Sequence, residues 1–231
     1  MNKLLSVLVL VFLLCSACSQ PGGETPAPPP VSDGSYSILD NNEPEVTYEW
    51  KDILLPDNRR YLGDESFSEQ LTLPFSFEFF GISYDKLFIH SNGFLTLQGS
   101  VSGTSYSPRQ VPDSGGVNAV IAGLWADLDQ SLNDPLGYVI FGAEGTEPDR
   151  SFIVTYHDIP YGDDSCNVTF QIILYETSNE IKFQYQDFET DGRKHTQGIE
   201  NEDGTKGCFV SGRNLYNFTL PDEYAVTFFP Q

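Results

Sequence analysis

The chain has 231 residues, a formal net charge of −21 with 33 acidic against 12 basic side chains, and 13% aromatic residues, chiefly 17 Phe and 12 Tyr. So acidic a chain lacks the basic footprint that nucleic-acid binding needs, and its domain surface repels anionic lipid headgroups. Abundant Phe and Tyr with a single Met favour strands over helices.

The first segment, 1–17, reads as a signal peptide. Lys3 supplies a positive start, and Leu4 to Leu14 form an apolar run. At about 1.5 Å per residue this run spans roughly 16 Å, about half of a hydrocarbon core. Leu14-Cys15-Ser16-Ala17-Cys18 resembles a bacterial lipobox, with Cys15 where Leu is usual. The resemblance implies diacylation of Cys18, and an anchor worth about 0.8 kcal/mol per buried CH₂. Residues 18–34, rich in Pro and Gly, read as a disordered tether. The expected location is the bacterial cell envelope, at the outer membrane or cell surface, because Ser19 is not the Asp associated with inner-membrane retention.

Residues 35–231 fit one β-domain. Thr47 to Trp50 leads into Ile53–Leu55 as a first strand. Leu71 to Phe79 alternates with a period of two, and Pro74 within it implies an edge or an irregular start. Leu87–Ser91 and Phe94–Leu97 flank Asn92-Gly93, a hairpin signal, and both faces of that hairpin are apolar. Further runs follow at Val117–Leu124, Gly137–Phe141, Phe152–Tyr156, Val168–Tyr175, Ile181–Tyr185 and Tyr224–Phe228. Strands this short and frequent predict an all-β antiparallel sandwich, jelly-roll or immunoglobulin-like, in a single domain. Two long polar loops, Gly99 to Gly116 and Phe188 to Thr196, are the candidate functional surfaces.

Two further cysteines, Cys166 and Cys208, suggest one disulfide in an exported domain, closing a loop worth roughly 4 kcal/mol. Two free thiols are the alternative.

An ordered set of motifs runs through the domain: Leu73-Pro74-Phe75, Phe80-Gly81, Ser91-Asn92-Gly93-Phe94-Leu95, Ile121 to Asp129, Val168-Thr169-Phe170-Gln171, Ile181 to Tyr185 and Gly198-Ile199-Glu200-Asn201. It resembles a β-sandwich module of secreted bacterial proteins and is similar to the nidogen-like extracellular domain. The resemblance covers about 45–231. It implies Tyr48-Glu49-Trp50 as the first strand, Trp50 and Trp125 in the core, and no shared catalytic set.

The residues themselves offer little catalysis. His90, His157 and His195 form no HExxH motif, no Gly-x-Ser-x-Gly elbow occurs, and Gly115-Gly116 is not a phosphate loop. His90 and His157 read as packed or surface polar groups and His195 as a solvated loop residue. Asp127, Asp129, Asn133 and Asp134 offer hard oxygen donors that suit calcium; turn formation and helix capping are the plainer reading of the same residues. No other cofactor is expected. Tyr106, Tyr161 and Tyr216 are the tyrosines placed to stack on a sugar. The expected function is a non-enzymatic lipoprotein with an adhesion, binding or structural domain, whose protein or glycan partner the sequence does not name. A carbohydrate-binding module and a hydrolase using a carboxylate pair are the alternatives.

Overall fold

The computed structural model describes residues 35–53, 58–99, 107–133 and 135–231. Cys18, Tyr106 and Asp134 therefore lie outside the described residues, with the signal and tether. Contacts group Val31–Gln231 into one compact unit. Among the described residues, no helix is long and apolar enough to cross a membrane.

Among the described residues, thirteen strands form two antiparallel sheets. The seven-stranded sheet has the order β1 (Tyr36–Asp40), β13 (Tyr224–Pro230), β10 (Ile181–Phe188), β9 (Asn167–Tyr175), β8 (Ser151–Pro160), β7 (Tyr138–Glu144) and β2 (Arg59–Arg60). The six-stranded sheet has the order β12 (Gly207–Tyr216), β11 (His195–Glu200), β6 (Val120–Trp125), β5 (Phe94–Thr96), β4 (Ile82–His90) and β3 (Leu71–Phe79). The result is the sandwich that the alternating runs predict. The two ends of the domain meet, since Gln231 N donates to Ser35 O at 3.0 Å.

Strand β3 alternates buried and exposed residues without a break, and it lies at a sheet edge, where Pro74 removes no needed donor. Phe80 and Gly81 turn it into β4 with φ of 49° and 81°, as a two-residue hairpin of the primed type requires. The next hairpin differs from expectation. His90 pairs with Phe94, so the loop holds three residues, Ser91 to Gly93. Gly93 has φ 80°, and a Cβ there would sit 2.0 Å from Leu124 O.

Phe77, Phe79, Leu87, Ile89, Leu95 and Ile121 from one sheet meet Tyr156, Phe170, Ile172, Phe183, Tyr185 and Phe228 from the other, all fully buried. Truncating such an aromatic costs about 3–5 kcal/mol. The tyrosine hydroxyls also bond across the sheets. Tyr156 Oη donates to His90 O at 2.8 Å, and Tyr185 Oη donates to Gly123 O. A Cβ at Gly123 would meet Ile172 Cγ1 at 2.7 Å, so glycine lets the layers close.

Two expectations change here. Thr47 to Trp50 is no strand. The segment crosses the outer face of the seven-stranded sheet and is held by side-chain amides: Gln184 Nε2 donates to Glu49 O at 2.7 Å and its Oε1 accepts Glu49 N at 2.6 Å, while Gln171 Nε2 donates to Lys51 O at 2.7 Å and its Oε1 accepts Lys51 N at 3.2 Å. The glutamines do what a neighbouring strand's peptides would do, with both amides fully buried beneath the crossing chain. Trp50 consequently lies half-buried on that strap, stacked on Tyr48, not in the core. Trp125 is buried, but in a second cluster with Phe94, Val117, Val120 and Ala122, separate from the main inter-sheet core.

The cysteines are not bonded. Cys166 O accepts Tyr161 N at 3.1 Å, in the turn between β8 and β9. Cys208 pairs with Ile199 of β11 and donates its thiol to Tyr36 O at 3.4 Å.

Candidate acidic cleft

Three loops at one end of the sandwich converge. The β2–β3 connection brings Asp64 and Glu65, the exit of β6 brings Asp127 and Asp129, and the turn after β8 brings Gly162; together they line an open cleft of about 270 Å³. One carboxylate oxygen each from Asp64, Glu65 and Asp127 lies within 4.8 Å of the other two.

Local chemistry fixes each acid. Glu65 adopts φ 49°, which a following strand would not allow. Asn92 of the hairpin loop is fully buried: its Nδ2 donates to Glu65 Oε1 at 3.3 Å and its Oδ1 accepts Leu128 N at 3.3 Å. The expected turn residue thus ties the two acidic loops together. Glu65 Oε2 is buried with no hydrogen-bond partner. Asp127 is reached by Arg193 Nη1 at 3.7 Å, and Arg193 Nη2 lies 3.0 Å from Asp163.

Crowded, partly buried acids hold protons more tightly. Burial first, and then the neighbouring Asp64, Asp127 and Asp129, push Glu65 up to about 7 against the amide of Asn92. Burial and Asp129 raise Asp64. Burial and Asp64 raise Asp127, with Arg193 opposing. Such a site suits positive charge, either a hard cation or an ammonium or guanidinium group, and it also holds carboxyls at close range.

The expected calcium set is divided. Asp127 and Asp129 do line one cleft, but Asp129 Oδ1 accepts Ser131 N at 2.8 Å and Ser131 Oγ at 2.6 Å, capping the 3-10 turn Gln130–Asn133. Asn133 Nδ2 is bound to Asp158 O and Oδ2 at 3.0 and 2.8 Å. Asp64 and Glu65 take their place. Nothing in the local sequence marks these two, because their partners are 27 and more residues away.

The tyrosine platform does not assemble. Tyr161 is fully buried with its hydroxyl on Glu189 O at 3.0 Å, whereas Tyr216 is 56% exposed at the end of β12. His195 is buried as well, not solvated: its Nε2 lies 2.9 Å from Asp191 Oδ1, and burial lowers its pKa. His90 packs as expected. It stacks on Phe94 at 4.4 Å and burial drops it to about 3.

A module of two antiparallel sheets packed face to face belongs to the class of β-sandwiches. Residues 45–221 match the model of the NIDO-related family, and the chain belongs to that family. No curated protein and no solved structure matches it.

Proposed function

We propose that the protein is a non-catalytic, lipid-anchored binding module of the cell envelope, which engages its ligand through the loop end that carries the acidic cleft. One observation carries the reading: Asp64, Glu65 and Asp127, from two separate loops, bring carboxylate oxygens within 4.8 Å of one another. Like charges so close destabilise the free protein, so the arrangement favours a positively charged ligand. Calcium is the small ion that such hard donors suit. The lipobox-like Cys18 and the Pro-rich stretch supply the anchor and the reach.

Calcium titration of the full chain, followed by melting temperature, tests the cleft. A rise with calcium that EDTA reverses and Asp127→Asn abolishes supports it; a melting temperature unmoved by either overturns calcium as the ligand. Labelling with an alkyne fatty acid tests the anchor, and label retained by Cys18→Ser removes it.

A second reading has its own observation. Glu65, raised to about 7, brings a carboxylate oxygen within 4.8 Å of one on Asp127, a close carboxyl pair of the kind glycoside hydrolysis uses. Hydrolysis of aryl glycosides that Glu65→Gln and Asp127→Asn each abolish would displace the non-catalytic reading.

A further inference from the structure

Beside the acidic cleft lies an apolar rim. Tyr61, Leu132 and Leu136 are 59%, 44% and 67% exposed, and they are three of the six large hydrophobic side chains exposed among the described residues. One buried side chain gathers the segments that carry them. Gln130 Oε1 accepts Leu62 N at 2.9 Å, and its Nε2 donates to Arg60 O at 3.2 Å and to Gly137 O at 3.3 Å. Tyr61 therefore sits between two residues pinned to Gln130, and Leu136 precedes a third. Leu132 N donates to Asp129 O at 3.3 Å, which joins the rim to the cleft wall. Gly63-Asp64-Glu65 continues directly from Tyr61-Leu62 into the cleft.

We propose that this end of the sandwich docks a protein partner presenting a lysine or arginine beside apolar side chains, the basic group entering the cleft while its neighbours cover Tyr61, Leu132 and Leu136. The inference rests on the cleft being the binding end and adds the partner's chemistry. Charge decides the occupant. Asp64, Glu65, Asp127 and Asp129 line the cleft and Arg193 reaches Asp127 at 3.7 Å, while Arg60 at the rim is engaged by Glu69 at 2.7 Å and Arg59 lies over the Tyr138 ring at 3.7 Å. The acids are in excess. A second copy of this chain, at a net charge of −21, brings the wrong sign. An anionic membrane surface is repelled for the same reason. Exposed apolar groups collected around one charged recess, and rimmed by polar surface, are what a protein-binding face offers. A guanidinium or ammonium placed among Asp64, Glu65 and Asp127 would also give Glu65 Oε2 the partner it lacks.

Selection of random dodecapeptides on the immobilised full chain tests the proposal. Enrichment of Lys or Arg next to Leu, Phe or Trp is expected. The selected peptides should bind Leu136→Ser about tenfold more weakly, the loss of one covered aliphatic side chain. Leu136 is exposed, so the variant should keep its melting temperature. Calcium should compete with the peptides for the wild-type cleft. Peptides enriched without basic residues, or bound equally by Leu136→Ser, overturn the proposal while leaving calcium binding intact. Loss of both peptide and calcium responses would strike at the cleft itself, and capture of the full chain by anionic vesicles that Leu136→Ser abolishes would assign the face to lipid.

Discussion

The inter-sheet core and the acidic cleft are built on opposite terms. In the core, alternation along β3, β9 and β10 places one apolar side chain after another between the sheets, and Tyr156 and Tyr185 find backbone oxygens to receive their hydroxyl protons. Every contact there favours one packing. In the cleft, two loops bring acids together, raise the pKa values of Asp64, Glu65 and Asp127 and leave Glu65 Oε2 unpartnered. The first region holds the fold together; the second carries unfavourable charge that a ligand would relieve.

The comparison breaks most sharply at Phe170. This ring stacks on Tyr156 with centroids 4.6 Å apart, and Phe170→Ala should cost about 3–5 kcal/mol in urea unfolding. A loss below about 1 kcal/mol would mean that the core is not the source of stability. Next comes the strap. Gln184→Ala removes both partners of Glu49 and should cost about 1–3 kcal/mol, since buried peptide groups are left unpaired; Gln184→Glu should cost similarly, because a carboxylate cannot donate.

The cleft should respond with the opposite sign. Glu65 titrates at about 7 in the fold against an ordinary 4.5, so its stabilising contribution is complete below pH 4.5 and is lost as pH rises through 7. Glu65→Gln should therefore match the wild type near pH 4.5 and melt higher above pH 7 without metal. A variant that melts lower across that whole range would make Glu65 a structural residue like those of the core. Smallest of all, dithiothreitol should leave the melting temperature unchanged, because Cys166 and Cys208 are separate thiols.

What was legible in the chain followed local rules. The period of two from Leu71 to Phe79 and the edge proline are written in neighbouring residues, and the structure reproduces them. Features made by distant residues were not legible. Thr47–Trp50 has strand composition, yet its hydrogen-bonding partners are glutamine side chains from β9 and β10, more than a hundred residues on. Asn92 carries the signature of an exposed turn, but the closed loop buries it against Glu65. Asp127 was visible because alternation points it out of β6. Asp64 and Glu65 sit in an irregular connection, and only the tertiary fold gives them a role.

The meeting of Ser35 with Gln231 has a mechanical consequence. Strand β1 runs antiparallel to β13, with Tyr36 opposite Pro230 and Asp40 opposite Val226. Pulling the two chain ends apart would open this pair like a zipper, one rung at a time, at low force. Pulling Ser35 against a partner gripped elsewhere on the sandwich would load its rungs differently, so resistance should depend on which two points are tugged. Force spectroscopy with handles at 35 and 231, compared with 35 and 136, would measure that anisotropy directly.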